Sequence, residues 1–488
     1  MTVGSGDGEQ NATPGGGDRS VGPPENQTVK PACRLVVCFD GTWNTVESRT
    51  NVSRLFEAIL DKEMSDDDVE QLKFYDEGVG SSAEATTPWG KIKDALMGGI
   101  FGDGLQRNVL QAYCWLIEHF GEHDYTDDNR PDIYIFGFSR GAFTARLLAG
   151  LLGACGLLKK DAVLPAVHPQ WQLTWNNPVI QLAWSYYKPG QSMLWKWQNR
   201  AHGRASEAKK LYESHDALRN VSRAVPVMFL GVWDTVGKYG LPSWSWKSAF
   251  FKPISFQDDK LGRHVLHAVH AMAIDEHRAD FNVRPWTGVS PSWASTVFAM
   301  PPGQGGCENP LPYTMIQQRW FAGSHAQVGG GYENDQLCHH SLSWMAQEAR
   351  KCGLRLKEIG ETKSESKPNP LSWMTQGAKK YGLRLKEVGE SDDESKPIFR
   401  FTPLARDHLA PVMDSHAEFA YGLYRWISDP IMRQIHVGSI KPGRAGEYEM
   451  TIDIDPSVSR KVAGDASYRP VNLYHQGRLD VHSFPDVT

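Results

Sequence analysis

Short, unbroken apolar runs recur along the chain, and turns or helical patterns separate them. The first run, 34–39, is followed at once by the turn signal Asp-Gly-Thr. Strands that are buried on both faces have this continuous apolar pattern. We therefore predict strands of a mostly parallel sheet at 34–39, 72–75, 133–136, 227–232 and 316–322.

Helical periodicity fills the intervals between these runs. Apolar residues recur at helical spacing over 52–60, where Asn51 or Ser53 is expected to cap the helix, and over 105–120 and 142–154. Strands that alternate with helices predict an α/β fold, in which helices cover both faces of the sheet.

A leader and a catalytic domain are expected in the first two thirds of the chain. Residues 1–32 are rich in glycine and poor in apolar residues. Such a segment does not bury enough surface to offset the entropy of ordering, so a disordered leader is predicted. The catalytic domain is expected over 33–340. Within it, 160–225 lacks a clear strand and is predicted to be a helical insertion or lid.

A tandem repeat follows the catalytic domain. The block that begins at Leu342 recurs from Leu371 with the same Leu-Ser-Trp-Met opening, and two copies are too few for a solenoid. A duplicated helix with charged, solvated linkers is therefore expected over 341–398. The remaining residues, 399–488, are expected to pack on the catalytic domain as a C-terminal extension.

The composition argues against several classes of protein. The 488 residues include 52 Lys and Arg against 57 Asp and Glu, a balance unlike that of a nucleic-acid-binding protein with a basic face. No apolar run is long enough to span a membrane, and the N-terminus lacks the pattern of a signal peptide. The 7 cysteines include no CxxC pair, which indicates a reducing compartment. A soluble, cytoplasmic protein is expected unless a dedicated secretion system exports it.

The 17 tryptophans have two interpretations. Those in the insertion either pack its helices or belong to a lid over an acyl groove. A second aromatic group around Trp244, Trp246 and Phe250 lies beside lysines and suits a peripheral contact with a membrane at headgroup level. The tryptophans of the insertion are Trp171, Trp175, Trp184, Trp195 and Trp197.

Gly-Phe-Ser-Arg-Gly at 137–141 is the strongest chemical signal. The motif follows one predicted strand directly and opens an apolar helix, which is the strand–turn–helix context of a nucleophile elbow. Glycines on both sides of Ser139 permit the tight turn that would present its hydroxyl. The alternative, a turn in which the glycines serve packing and Ser139 caps the helix, remains open.

A serine nucleophile needs a base and an acid that orients the base. Asp234 comes just after the predicted strand at 227–232, and His325 follows the run at 316–322 and precedes a glycine-rich loop. Both therefore belong at the carboxyl edge of the sheet with Ser139, where open α/β sheets place their sites. The order Ser, Asp, His is also that of α/β-hydrolases.

Asp275 competes with Asp234 for the role of the acid. It ends the stretch from His264 to Ile274, whose apolar spacing we interpret as more helical than extended. Its direction toward the site is therefore not assured, and Asp234 is preferred. Asp275, Glu276 and Arg278 are expected either to line the site or to form an ion-paired turn.

Backbone amides at two places are candidate donors to an oxyanion. Arg140 follows the nucleophile at the helix start, and Gly41 and Thr42 lie in the loop after the first strand, on the opposite side of Ser139. Asp40 is expected either to orient this loop or to hold a cation. No metal or other cofactor is predicted, because the histidines at 264, 267 and 270 lack the four-residue spacing of a helical metal site.

Five motifs together resemble an uncharacterised α/β-hydrolase family that contains the catalytic domain of type VI secretion phospholipase effectors. The resemblance covers residues 33–350 and implies an α/β-hydrolase core, a Ser–Asp–His triad and lipid ester hydrolysis as in the bacterial effectors. One departure is Gln327, which replaces an aspartate that the family usually has. The motifs lie at 39–44, 78–80, 137–146, 231–237 and 320–332.

A serine hydrolase of carboxylic esters, directed at lipids, is therefore the predicted function. Two alternatives remain: an esterase of small esters or polyesters without a membrane role, and a binding protein on a catalytically degraded hydrolase core. The expected partner is an ester or lipid substrate, with no nucleic acid, and the sequence does not indicate an oligomeric state.

Overall fold

A computed structural model describes most of the chain from Pro31 onward. The predicted leader, apart from Pro31, lies outside the described residues. The described residues are 31, 33–41, 49–60, 69–77, 99–121, 130–187, 209–236, 259–299, 314–332, 336–357, 410–412, 433–440, 448–465, 467–468, 470, 474–475, 478–479 and 482–483.

Strands and helices alternate through most of the described chain. The first half comprises β1 Cys33–Phe39, α1 Asn51–Ala58, β2 Glu70–Asp76, α2 Gly99–Phe120, β3 Asp132–Phe138, α3 Arg140–Cys155, β4 Leu157–Leu158, α4 Lys160–Val163, α5 Pro178–Tyr187, α6 His215–Asn220, β5 Ser222–Arg223 and β6 Val227–Trp233. The second half comprises β7 Lys260–Gly262, β8 Val265–Ala273, a 3₁₀ turn Ala279–Phe281, β9 Gly288–Ser290, α7 Trp293–Ala299, β10 Thr314–Phe321, α8 His325–Gly329, α9 Cys338–Lys351, β11 His436–Ile440, β12 Tyr448–Ile454, α10 Pro456–Gly464, β13 Tyr474–His475, β14 Arg478–Leu479 and β15 His482–Ser483.

Among the described residues, the main sheet has nine strands in the order β15-β11-β12-β10-β8-β6-β3-β1-β2. All neighbours from β2 to β12 are parallel, and only β11 runs antiparallel to its neighbour β12. The chain leaves β1 toward β2 and then returns to β3 on the other side of β1. The carboxyl ends of β1 and β3 therefore flank a topological switch point, where such sheets bind their ligands.

Helices cover both faces of this sheet, as the alternation of strands and helices predicts. Successive residues of a strand point to opposite faces. In β1, Leu35 and Val37 pack in the core under α2 and α3, whereas Val36 and Cys38 pack in a second core under α1 and α9. The expectation of an α/β fold with a mostly parallel sheet is confirmed.

The helical insertion is fastened to the main core. β4, which lies just before the insertion, pairs as an antiparallel strand with β5, near the end of the insertion. Val179, Ile180 and Trp184 on α5 are buried in the same core as α3. Trp171 and Trp175 pack against this core while partly buried, so the described tryptophans of the insertion act in packing. Trp195 and Trp197 lie outside the described residues.

The first copy of the tandem repeat belongs to the core. The expected domain boundary at residue 340 falls inside α9, and Leu342, Met345 and Ala346 of that helix are fully buried against the sheet. This helix packs because it follows the loop of His325 directly and reaches the face left open beside α1. The second copy lies outside the described residues.

The C-terminal part extends the sheet. β12 pairs with β10 in parallel register, and residues of the two strands form a third apolar cluster with α10. Within this cluster Trp320 on β10 packs with Ile452 on β12 and Val458 on α10. β11, β12 and β15 are therefore continuous with the main sheet.

Two local predictions are wrong. The stretch from His264 to Ile274 is mainly strand β8, not a helix. It lies between β6 and β10 and is covered on both faces, so its apolar residues need not alternate with polar ones and the sequence period is ambiguous. The cap of α1 is Thr50, whose side chain accepts a hydrogen bond from the Ser53 amide.

Asn51 provides a test of the packing between α1 and α9. Its buried amide donates to the carbonyls of Val328 and Cys338 at 3.0 and 3.1 Å. Asn51→Ala should lower the free energy of unfolding by about 2 kcal/mol, because two buried acceptors lose a partner. Urea unfolding followed by circular dichroism measures this. The exposed Asn220 is the control: if Asn220→Ala destabilised the protein equally, the prediction would be wrong.

Candidate active site

Ser139 occupies a strained turn between β3 and α3. Its φ of 58° and ψ of −120° lie in a region that residues other than glycine rarely adopt. The Ser139 amide donates to the carbonyl of Trp233 at 3.0 Å, which ties the turn to the end of β6. Such strain persists only where the surrounding structure holds it, and it is characteristic of functional sites.

Two glycines make this turn possible. A Cβ atom at Gly137 would lie 2.4 Å from the carbonyl oxygen of Gly141, and a Cβ at Gly141 would lie 2.3 Å from that of Phe39. Both separations are far below van der Waals contact, so only glycine fits. The start of α3 therefore approaches the end of β1 closely, at the switch point of the sheet.

Asp234, His325 and Ser139 form one continuous chain of hydrogen bonds. His325 Nδ1 lies 2.6 Å from Asp234 Oδ2, and His325 Nε2 lies 2.7 Å from Ser139 Oγ. An ionised carboxylate only accepts, so Nδ1 carries the proton and Nε2 is left to accept from the serine hydroxyl. The three side chains that the sequence predicts for the site therefore lie in the arrangement that a nucleophile, a base and an orienting acid require.

Asp234 is fully buried yet ionised. Burial by itself would raise its pKa, but the charge of Arg433 and the hydrogen bond from His325 outweigh burial and hold the pKa below the ordinary range. Oδ1 also accepts from the amide of Ala273 at 2.9 Å. The backbone of Asp234 has a φ of 39°, a second non-glycine residue of the site in the left-handed region.

The imidazole of His325 is enclosed by aromatic rings. Phe138 and Phe281 lie 4.7 and 5.0 Å from it, measured between ring centroids. Burial lowers the pKa of His325, although the hydrogen bond and charge of Asp234 oppose this effect. A neutral imidazole is the form that accepts a proton from a serine, so this environment favours a general base.

Glu276 and Arg278 support the histidine through its backbone. Arg278 donates to both carboxylate oxygens of Glu276 at 2.8 Å, and one of these oxygens accepts from the His325 amide at 3.2 Å. Burial would raise the pKa of Glu276, but the hydrogen bonds and charge of Arg278 lower it to about 2. The expected ion-paired turn is therefore present, and it holds the start of α8.

Asp275 holds the loop that precedes His325. Its carboxylate accepts from the Gly323 amide at 2.7 Å and from the Tyr468 hydroxyl at 2.8 Å. Burial raises its pKa. The structure thus brings Asp234, not Asp275, to the imidazole, which agrees with the preference drawn from the sequence.

Gln327 caps the helix that begins at His325. Its side-chain oxygen accepts from the Ser324 amide at 3.2 Å, in a capping box with Ser324, and its nitrogen donates to the Pro411 carbonyl at 2.8 Å. A glutamine is long enough for this reciprocal cap. The departure from the family pattern therefore keeps a stabilising role at the histidine loop.

Asp40 follows β1 directly, and its carboxylate accepts several hydrogen bonds. Its carboxylate accepts from the Gly41 amide at 2.6 Å, from Thr50 Oγ1 at 2.5 Å and from the Tyr75 hydroxyl at 2.6 Å. These contacts join Asp40 to the Gly41 backbone and to two hydroxyl groups.

The expected oxyanion donors divide into three cases. The Gly41 amide points at Asp40, so its expected role as a donor to an oxyanion is not seen. Thr42 lies outside the described residues. Arg140 begins α3, and the amides of a first helical turn point out of the helix N-terminus, here beside Ser139.

The regularly spaced histidines serve the structure. His264 lies 2.8 Å from the Ala149 carbonyl, His267 lies 3.0 Å from Cys352 Sγ, and His270 accepts from the Thr235 amide at 3.1 Å. In the part of the chain that the structure describes, no three His, Cys, Asp or Glu side chains are placed to hold a metal ion.

Arg433 is the site residue that sequence reasoning missed. It donates from both terminal nitrogens to the two oxygens of Asp234, at 2.7 and 2.9 Å. It lies 199 residues after Asp234 and outside any motif. A buried aspartate predicts a cationic partner, but nothing in the sequence shows which arginine it is.

Comparisons with known proteins place this chain in a family. Residues 33–348 match the model for the catalytic domain of Tle1-like phospholipase effectors of the type VI secretion system. An uncharacterised protein of Saccharomyces cerevisiae, YEL023C, is 25% identical over 275 residues, which are 54% of this chain and 34% of the yeast protein. The chain thus spans about a third of that relative.

Two solved structures are weakly similar. A Tle1 effector bound to the VgrG spike of the type VI secretion system is 14% identical with a TM-score of 0.35, covering 74% of this chain and 82% of the other. An uncharacterised protein from Pseudomonas aeruginosa is 16% identical with a TM-score of 0.32, covering 68% and 47%. The family model matches well over half of the chain, so the protein belongs to the family of Tle1-like phospholipase effector catalytic domains.

Proposed function

We propose that this protein is a serine hydrolase of carboxylic esters on an α/β-hydrolase fold. The observation that carries the proposal is the hydrogen-bond chain from Asp234 through His325 to Ser139, whose nucleophilic end lies on a strained turn. A serine that merely capped α3 would accept a hydrogen bond from the first helical turn, and Ser139 makes no such side-chain bond.

The strand order supports the α/β-hydrolase fold. The nucleophile follows β3, the acid follows β6 and the histidine follows β10, so all three lie at the carboxyl edge of parallel strands. This is the chain order Ser, Asp, His of that fold, with a serine on a sharp strand-to-helix turn.

The geometry supports an acyl-enzyme mechanism. As Ser139 Oγ attacks the ester carbonyl carbon, its proton passes to His325 Nε2, and Asp234 stabilises the resulting imidazolium. The amide of Arg140 is the proposed donor to the developing oxyanion, and Thr42, which lies outside the described residues, is the proposed second donor. The tetrahedral intermediate then expels the alcohol, which takes the proton from His325. Water activated by the same histidine hydrolyses the acyl-enzyme.

Family membership favours a lipid ester as the substrate, since the family is described as phospholipase effectors. The aromatic group around Trp244 that suits a membrane contact lies outside the described residues. No helix among those described has the length and hydropathy to cross a membrane. Within the proposal, the enzyme acts on lipid from the membrane surface.

Two measurements distinguish the proposed function from the alternatives, an esterase of small esters and a binding protein without activity. An esterase of small esters would prefer short acyl chains, whereas a lipase or phospholipase would favour long ones. A degraded, binding-only protein would leave Ser139 unreactive toward a fluorophosphonate. Gln327, which departs from the family pattern, acts here as a helix cap.

Ser139→Ala should abolish ester hydrolysis and leave the fold intact, because the hydroxyl oxygen is the atom that becomes acylated. Turnover of p-nitrophenyl butyrate and labelling by a fluorophosphonate measure the effect, and circular dichroism checks the fold. A mutant that kept more than about a tenth of the wild-type turnover would refute the assignment of the nucleophile.

Asp234→Asn should lower turnover by at least about a hundredfold with KM nearly unchanged, because an amide does not hold the imidazole in the required tautomer. Asp275→Asn is the matched control and should lower turnover by less than about tenfold. Both variants are compared on p-nitrophenyl butyrate after their circular dichroism is shown to be native. The opposite ranking would make Asp275 the acid.

The pH dependence follows from the buried imidazole. His325 must be neutral to act as the base, and burial lowers its pKa from the ordinary 6.5. The imidazole then stays neutral to lower pH, so the acid limb of kcat/KM should be centred below pH 6.5. Steady-state kinetics on an uncharged ester test this, and an acid limb centred above pH 7 would contradict it.

A further inference from the structure

Arg433, in the C-terminal part of the chain, forms an ion pair with Asp234, the acid of the proposed triad. Arg433 lies just before β11, well beyond the region 33–348 that matches the family model. Its side chain is 1% exposed and that of Asp234 is 0% exposed, so solvent does not screen the pair.

The guanidinium of Arg433 donates hydrogen bonds to Asp234 from both terminal nitrogens. Nη1 lies 2.7 Å from Oδ1 and Nη2 lies 2.9 Å from Oδ2, a parallel fork that fixes the plane of the carboxylate. With that plane fixed, Oδ2 also accepts from His325 Nδ1. The orientation of the imidazole therefore depends on a residue that it does not touch.

Backbone carbonyls fix the guanidinium in turn. Nη1 donates to the Ala273 carbonyl at 2.6 Å, at the end of β8, and Nη2 donates to the Phe281 carbonyl. Phe281 is also one of the rings that pack on His325. Arg433 thus joins the acid, the end of β8 and the wall of the histidine pocket.

Several charged or titratable groups act on the acid and base. Arg433 and His325 contact Asp234. The charge of Asp234 raises the pKa of His270, and the charge of Arg433 lowers it. Glu276 and Arg278 act on His325. Glu276 and Arg278 pair with each other, and the charge of Arg433 also acts on Glu276. Because Arg433 contacts Asp234 directly, replacing it leaves the negative charge of Asp234 acting on His325 with less opposition.

We propose that Arg433 is a positioning residue of the active site, which orients and neutralises the triad acid Asp234 and makes the C-terminal part of the chain indispensable for catalysis. This inference rests on the proposed function. It assigns a second role to a segment that a purely structural view would treat as an extension of the sheet.

The test compares Arg433→Gln, Arg433→Lys and a control in the full-length chain. Arg319→Gln is the control, because Arg319 also ties the sheet to the C-terminal part, through Asp455 at 3.3 Å. Initial rates on p-nitrophenyl butyrate across pH give kcat, KM and the acid limb of kcat/KM. Circular dichroism verifies the fold of each variant.

Arg433→Gln should lower kcat by at least about 30-fold while KM changes less than about twofold. Its acid limb should move up by at least about 0.5 pH unit, because the unopposed carboxylate stabilises the imidazolium. Arg433→Lys keeps the charge without the fork, so kcat should fall by at least about fivefold with the limb nearly unmoved. Arg319→Gln should stay within about twofold of wild type in both quantities.

Variants at 433 that match the control in kcat and in the acid limb would overturn the proposal. If Arg433→Gln does not fold, Arg433→Lys decides, and a kcat within about twofold of wild type refutes the positioning role. Titration of the His325 imidazole by nuclear magnetic resonance follows the same pH shift without turnover. A wild-type protein that neither turns over esters nor reacts with a fluorophosphonate refutes the proposed function, while that titration still tests Arg433.

Discussion

The site is organised around one buried negative charge. Asp234 is wholly removed from solvent, and an isolated carboxylate in such a place costs on the order of several kcal/mol. The fork from Arg433, the bond from His325 Nδ1 and the amide of Ala273 together compensate for that cost. Since these partners come from three separate segments of the chain, stabilising the acid also assembles the site.

Backbone strain at the nucleophile is the second constraint, and the same assembly holds it. Ser139 keeps its positive φ because Gly141 packs against the end of β1 and because the Ser139 amide bonds to Trp233 at the end of β6. Asp234 follows Trp233 directly, so the residue that holds the turn of the nucleophile also sets the position of the acid. Ser139 and Asp234 are thereby fixed relative to each other through Trp233.

The histidine depends on contacts from the C-terminal half of the chain. Glu276 holds its amide, Asp275 and Tyr468 hold the preceding loop, and Gln327 ties its helix to Pro411. The imidazole is thus fixed by its backbone as well as by Asp234. The carboxylates of Asp275 and Glu276 are already occupied by backbone and side-chain donors. These charged residues therefore hold the backbone around His325 and do not line a substrate site.

Local sequence patterns were enough to predict the strands β1, β3, β6 and β10, the turn at Ser139 and the order of Asp234 and His325 along the chain. Each of these rests on a local pattern, either an unbroken apolar run or a turn motif that directly follows one. The strand within 264–274 could not be predicted in this way, because its conformation depends on backbone hydrogen bonds to the parallel neighbours β6 and β10. Likewise, only the tertiary structure brought Arg433 to Asp234, since the pairing of a buried charge depends on packing between segments 199 residues apart and leaves no local pattern.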